Sequence, residues 1–334
     1  MQQAALNDRR CADRLRSSIE REPTSVQLSE PIVIAGRYVV ETQLGRGGTA
    51  TVSCVFDRNT GERVALKQLS PHGSPAVVAR MRTLFERECL TLTLLNHPRI
   101  VRVLDHGLNE DVPYYTMELL SGGDLMEIAP LPWQRVCEIG RDVCSALSLL
   151  HARRMVYRDL TPRNVRCTSD GLAKLIDLGA LALMGSAEPL VCTPAVAAPE
   201  LANLQLLDGR TDLYALGATL YFTLTGRMPY PASDFQMLPQ LWAEPLTPPA
   251  AFVPGIPESL DGLGMEMLSL QPQQRPASAA EVSERLCAIA GARHDDTLVV
   301  CQAYLSTPEL AGRKAELELV QRQLEQLRSA RRGG

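Results

Sequence analysis

The chain has 334 residues, a formal charge of −4 and 45% apolar residues, enough to fill the core of one large two-lobed domain or two ordinary ones. So weak a net charge supplies no basic field to gather nucleic acid or anionic lipid. The longest apolar run, 214–226 (YALGATLYFTLTG), is broken by Thr and Gly and too short for a bilayer, so it reads as a buried helix and no membrane span is predicted.

In chain order, residues 1–36 are polar and aperiodic, which predicts a flexible extension with order beginning near Tyr38. The first residues mix acids and bases without an apolar stretch, so they are no secretory signal, and the expected compartment is the cytoplasm. From Tyr38, "RYVVETQLGRGG", "TATVSCVFD" and "RVALKQLS" are short Val-, Leu- and Thr-rich runs split by glycine turns, the pattern of three antiparallel strands. The segment Pro75 to Leu95 turns helical, with Leu84, Glu88, Leu92 and Leu95 three or four apart. Two further strands, "IVRVLDHG" and "PYYTMELL", complete a five-stranded set.

After Ser121-Gly122-Gly123 the character becomes helical. Val136, Ile139, Val143, Leu147 and Leu150 form one apolar stripe along Trp133 to Arg153, with Pro132 at its first turn. Two tiny strands, "VRCT" and "AKLID", precede helices that end near Ala290. A strand-rich small lobe joined to a helix-rich large lobe is an α+β plan. The nine cysteines stand singly, without a C-x-x-C pair or nearby His partners at zinc spacing, and read as reduced thiols.

The chemistry-bearing residues come in a fixed order. Leu44-Gly45-Arg46-Gly47-Gly48 lies between two strands, where a glycine hairpin brings backbone amides over phosphates. A strand follows it rather than a helix, so it is no dinucleotide fingerprint. Val64-Ala65-Leu66-Lys67 puts a lysine on the next strand, and Glu88 on the following helix can reach back to it. Arg158-Asp159-Leu160-Thr161-Pro162-Arg163-Asn164, then Asp177-Leu178-Gly179, supply one carboxylate to accept a hydroxyl proton, and an amide and a second carboxylate to hold magnesium. Each piece has an ordinary surface or turn explanation. The ordered set does not.

From about Tyr38 to Ala290 the chain resembles a protein kinase, most of all the bacterial serine/threonine type. The resemblance implies a bilobal fold over 37–291, with an N-lobe of five antiparallel strands and one helix at 37–118 and a mainly helical C-lobe at 121–291. It implies ATP and Mg²⁺ as cofactors, held by Leu44, Gly45, Gly47, Val52, Ala65, Lys67, Met117, Glu118, Leu120, Asp124, Asn164 and Asp177, the last two binding the metal. Met117 is similar to the residue guarding the back of the adenine pocket, and the backbone of Glu118 and Leu120 would pair with adenine. Asp159 would be the base, Lys67 would pair with Glu88, and Thr193 would orient Asp159. Glu200 and Arg275 resemble a buried structural ion pair, and Asp212 an anchor for the catalytic loop. Cys54 and Cys192 are expected near the nucleotide cleft.

Two positions depart from the family pattern. Tyr157 stands where histidine is usual and can fill the same space. Thr161 replaces a lysine that neutralises the transferring phosphate, a loss of about 3 kcal/mol in barrier, which Arg163 can offset. A slow protein kinase acting on protein substrates, itself included, is therefore the reading, with a nucleotide-binding pseudokinase scaffold as the alternative. Cys192-Thr193-Pro194 favours serine/threonine hydroxyls, although Arg163 also occurs at that place in tyrosine kinases. The activation segment holds one hydroxyl between Asp177 and Cys192, Ser186; Ser186 or Thr193 is phosphorylated, Glu188 stands in, or the segment packs unmodified, the reading favoured here. Beyond Gly291, Leu317, Val320, Leu324 and Leu327 predict an amphipathic helix in a tail at 292–334, which resembles the lead-in to a fused ATPase module but carries no P-loop. Contact with a further domain, or with a partner helix, is its expected use.

Overall fold

The computed structural model describes residues 31–185 and 192–291. The tail helix, Ser186, Glu188, Cys11, Cys301 and the extension up to residue 30 lie outside the described residues. Strands β1 (Val33–Ile34), β2 (Tyr38–Arg46), β3 (Ala50–Asp57), β4 (Arg63–Leu69), β5 (Val103–Asn109) and β6 (Val112–Met117) form one antiparallel sheet in the order β1-β2-β3-β4-β6-β5.

The sheet thus has six strands where five were expected, and the sixth lies inside the stretch read as an extension. Ala35 and Gly36 turn the chain at φ 50° and 67°, and the Ala35 amide donates to Asn109 Oδ1 at 2.7 Å. Ile34 is thereby folded onto Tyr38, Val55, Val64, Leu66 and Tyr114. A two-residue strand is too short for a periodicity signal; only this packing defines it.

Helix α1 (Pro75–Leu94) crosses behind the sheet. Its buried face is Met81, Phe85, Glu88, Cys89 and Leu92, whereas Leu84, expected on the apolar stripe, is 44% exposed. Glu88 lies within the inward arc, bonded to a lysine on the sheet, whereas Leu84 falls at the edge of that arc.

The large lobe contains α2 (Leu125–Ile128), α3 (Trp133–Ala152), α4 (Pro199–Ala202), α5 (Gly209–Thr225), α6 (Leu238–Trp242), α7 (Glu258–Met267) and α8 (Ala279–Ala290). Between α3 and α4 lie β7 (Met155–Val156), β8 (Val165–Cys167), β9 (Ala173–Leu175) and β10 (Ala182–Leu183). Strands β8 and β9 match the expected pair, while the β7–β10 pair is two residues a side and had no signal. The α3 stripe Val136, Ile139, Val143, Leu147 and Leu150 is at most 1% exposed throughout, each side chain contributing about 1.5–3 kcal/mol by leaving water.

Helix α5, which holds the long apolar run, is buried along most of its length. Its inward hydroxyls are paired: Thr223 Oγ1 donates to Thr219 O at 2.7 Å, and Thr219 Oγ1 donates to Leu160 O at 2.8 Å. The helix is therefore tied directly to the loop around Asp159. Among the described residues no helix is long and apolar enough to cross a membrane.

Close approach of α3, α5 and α8 depends on Gly140, where a Cβ would come within 2.7 Å of Leu286 Cδ1 and 3.1 Å of Leu220 Cδ1. Gly140→Val is expected to cost about 1–3 kcal/mol through overpacking, read as a lowered denaturation midpoint. An unchanged midpoint would show that these helices are looser than their spacing implies.

Candidate active site

A cleft of about 330 Å³ opens between the sheet and the large lobe, within the range of small-molecule sites. Leu44, Gly45, Gly47, Val52 and Ala65 come from β2, β3 and β4; Met117, Glu118, Leu120 and Asp124 from the connection between the lobes. Lys67, Arg163, Asn164 and Asp177 complete the polar end. Every residue expected to contact the cofactor therefore lines one cavity. Glu88 and Asp159 stand next to it, bonded to Lys67 and Asn164 of this group, and Thr193 is bonded to Asp159 in turn.

Lys67 on β4 donates from Nζ to both Glu88 oxygens, at 2.7 and 2.9 Å, and lies 3.3 Å from Asp177 Oδ2. Tyr115 adds a hydroxyl bond to Glu88 Oε1 at 2.9 Å. Burial works against the ammonium, but Tyr115, Asp177 and Glu88 outweigh it and hold Lys67 well above the ordinary lysine value. Burial likewise pushes Asp177 up, yet Lys67 and the Gly179 amide pull it below the usual carboxylate range. A permanent cation thus sits beside a permanent anion inside the cleft.

Asn164 Nδ2 donates to Asp159 O at 2.8 Å and Oδ2 at 3.2 Å, and the Thr193 amide donates to Asp159 Oδ1 at 2.8 Å. Burial first, and Asp177 after it, raise the Asp159 carboxyl above its ordinary value, while hydrogen bonds from Thr193 and Asn164 oppose them. The carboxyl group is oriented by these two donors and is a better proton acceptor than a solvated aspartate. At the connection, the Glu118 amide is committed to Arg102 O at 3.1 Å, and the Leu120 carbonyl accepts from Arg166 Nε at 2.8 Å. Neither bond engages the Glu118 carbonyl or the Leu120 amide.

The protein kinase domain model matches residues 38–286. The chain belongs to the protein kinase family. It is 35% identical over 270 residues to the DNA damage-responsive serine/threonine-protein kinase RqkA of Deinococcus radiodurans, covering 77% of this chain and 40% of that protein. To the probable serine/threonine-protein kinase PknB of Bifidobacterium longum it is 32% identical over 275 residues, 76% of this chain and 40% of the relative. To the serine/threonine-protein kinase Pkn1 of Myxococcus xanthus it is 32% identical over 299 residues, 82% and 42% of the two chains. The chain thus spans about 40% of the length of these curated relatives.

What holds the site of this kinase domain in shape lies below the cleft. Asp212 on α5, fully buried, accepts the amides of Tyr157 and Arg158 at 2.8 and 2.9 Å and pairs with His151 Nε2 at 2.9 Å. Those bonds offset the cost of Arg158 at φ 71°, a left-handed conformation unfavourable for an L-residue by about 1–2 kcal/mol. Tyr157 is 1% exposed and fills core space, as its aromatic ring led one to expect. Arg275 donates from Nη1 and Nη2 to Glu200 at 2.6 and 2.9 Å, and from Nε to Ser269 O at 2.8 Å. This pair fixes the end of the segment that carries Thr193.

Two expectations need correction or addition. Cys54 is not itself among the residues lining the cleft, but it stands opposite Ala65, which is, and its thiol reaches toward Glu41 Oε2 at 3.9 Å. Cys192 does lie beside Asp159, but burial and then Asp159 push its thiol up to about 12, so it is no activated nucleophile. Arg166, Ile176 and Val101 line the cleft without having been singled out. Lys174 also went unnoticed; it clasps both Glu118 oxygens at 2.7 and 2.8 Å. Strand alternation around Asn164 could have found Arg166, since Val165 and Cys167 on either side are buried.

Proposed function

We propose that this chain transfers the γ-phosphoryl group of Mg-ATP to serine or threonine hydroxyls of proteins, with Asp159 accepting the hydroxyl proton. The observation that carries the reading is the meeting of five side chains from distant segments. Lys67 touches both Glu88 and Asp177, and Asn164 bonds Asp159, at one cleft. Leu44, Gly45, Gly47, Val52, Ala65 and Met117 would enclose the base, which the Glu118 carbonyl and Leu120 amide would pair, with Asp124 at the rim. Lys67, fixed by Glu88, would hold phosphate oxygens.

The donor set suits a hard dication. Asn164 spends its amide nitrogen on Asp159, which leaves its oxygen to ligate, and Asp177 presents a 43% exposed carboxylate. Mg²⁺ held by Asn164 and Asp177 would supply charge neutralisation at the transferring phosphate. Thr161 is buried and uncharged, so the exposed Arg163 is the cation left to assist from this loop. That loss favours a slow enzyme, and together with Tyr157 in place of histidine and Ala50 in place of the third glycine of the hairpin pattern it supports the second reading, a nucleotide-binding scaffold with little transfer. Autophosphorylation, a cytoplasmic location and a partner for the tail are parts of the same proposal.

The test is label transfer from γ-labelled ATP with Mg²⁺ to the chain itself or to a generic protein, followed across acid to neutral pH and by phosphoamino-acid analysis. Because the Asp159 carboxyl is raised, the rate should climb with pH through a limb lying above the ordinary aspartate value of about 3.9. Absence of label at every pH would leave the scaffold reading; a limb at or below the ordinary value would remove Asp159 as the base.

A further inference from the structure

Among the described residues four cations and four carboxylates line the cleft, and they are unequally engaged. Every carboxylate has a partner. Glu118 is clasped by Lys174 at 2.7 and 2.8 Å, and Asp177 lies 3.3 Å from Lys67. Asp124 and Glu127 each lie 3.6 Å from the Arg166 guanidinium, and the Glu127 carboxylate also accepts the Asp124 amide at 3.0 Å. Of the cations, Lys67 and Arg166 are thereby spent. The other two, Arg46 and Arg163, are exposed and form no ion pair or side-chain hydrogen bond among the described residues.

These two arginines stand on fixed backbone, one in each lobe. Arg46 ends β2 opposite Thr51, and the Gly47 amide donates to the Ala50 carbonyl at 2.8 Å across the turn. Arg163 sits in a 3₁₀ turn between the buried Pro162 and Asn164. The Asn164 amide closes that turn on Thr161 O at 3.0 Å, and the Asn164 side chain ties it to Asp159 O at 2.8 Å. A hydroxyl that gives its proton to Asp159 must come within hydrogen-bond reach of it. In an extended segment the residues two or three places away then lie roughly 7–10 Å off, where their side chains can meet a long cation on the same loop. We propose that Arg46 and Arg163 make the mouth of the cleft selective for acidic protein segments, those with Asp or Glu within about two or three residues of the accepting serine or threonine. The inference rests on the phosphoryl-transfer reading given above and narrows its substrate class. With the carboxylates of the cleft already neutralised, a basic segment finds no unengaged partner there among the described residues, whereas an acidic one finds two. Arginine suits the task, because its planar fork can pair a carboxylate through two parallel bonds.

Steady-state transfer from γ-labelled ATP by the whole chain to three synthetic peptides of equal length tests the idea. Each peptide carries a single serine, flanked by Glu, by Gln or by Lys. The Glu peptide should be used best, through a lower KM, and the Lys peptide worst, with kcat/KM changing by about 2- to 5-fold for each arginine engaged. The preference should shrink with added salt. Arg46→Gln and Arg163→Gln should each lower the Glu-to-Gln ratio of kcat/KM by that factor. Arg163→Lys should keep most of it, and Arg163→Glu should move the preference to the Lys peptide. The ratio is the readout because any fall in turnover or in folded fraction common to the peptides cancels from it. Equal kcat/KM for the three peptides would overturn the inference. Variants that raise KM for ATP and leave the ratio unaltered would do the same, assigning the arginines to the nucleotide, as would label on the chain itself but on none of the peptides. A parent chain that labels neither itself nor any peptide overturns the transfer reading, so the two failures are distinguishable.

Discussion

Asp159→Asn is expected to lower phosphoryl transfer by about 10²–10⁴-fold while the folded state stays as stable as the parent or becomes more stable. The first half follows from removing the proton acceptor while retaining its shape: Asn can still meet the Thr193 amide, which bonds Asp159 Oδ1 at 2.8 Å. The second half follows from the sign of the carboxyl shift. Folding raises the Asp159 pKa, so the folded state binds the proton more tightly than the unfolded one. Its stabilising contribution is present in acid, below the unfolded value, and is lost as pH rises through the folded value. At neutral pH the ionised Asp159 is therefore a net cost of folding, and a neutral amide removes it. Loss of transfer together with a clear drop in the denaturation midpoint would instead make Asp159 a structural residue.

Arg275→Ala should destabilise the chain by about 3–5 kcal/mol, a fifth or more of the roughly 5–15 kcal/mol that holds a domain folded, and lower the midpoint by about 6–20 °C. The Arg275 side chain is 0% exposed and its partner Glu200 5%, so deleting the guanidinium leaves a buried carboxylate that keeps the Thr211 Oγ1 bond, at 3.0 Å, but loses its neutralising charge. The same cut frees Ser269 O and Arg210 O, which accept from Arg275 at 2.8 and 2.9 Å. The double change Arg275→Met with Glu200→Leu removes both charges and should recover part of the loss, because an uncompensated buried charge costs more than an absent pair. A midpoint lowered equally by the single and double changes would assign the effect to packing over the Tyr214 ring, whose centroid lies 4.9 Å from the guanidinium.

These two residues differ in how they could be found. Asp159 lies within a few residues of Asn164, and a local pattern carries the chemistry. Glu200 and Arg275 are separated by 75 residues, and nothing short-range in either segment indicates that they meet; only likeness to a known motif set brought them together. Leu84 marks a limit of periodicity. The helix was legible because residues of one face recur every three or four positions, yet the spacing alone does not place the centre of the inward arc, which runs through Met81, Phe85, Glu88 and Leu92 and leaves Leu84 at its edge. Val33–Ile34 marks another, since a two-residue strand has no period to read. Arg166 was overlooked because an arginine beside buried neighbours resembles an ordinary surface charge until the opposite wall of the cleft is seen.

The sequence by itself determined the elements that depend on near neighbours. Glycine turns, alternating strands, the α3 stripe and the order of charged motifs all arise from steric and hydrophobic preferences acting over a few residues. Tertiary structure alone decided the sixth strand, the outward Leu84 and the tether from Arg166 to Leu120. Those outcomes come from residues distant in sequence competing for the same buried volume and the same hydrogen-bonding groups, which are assigned only when the whole chain packs.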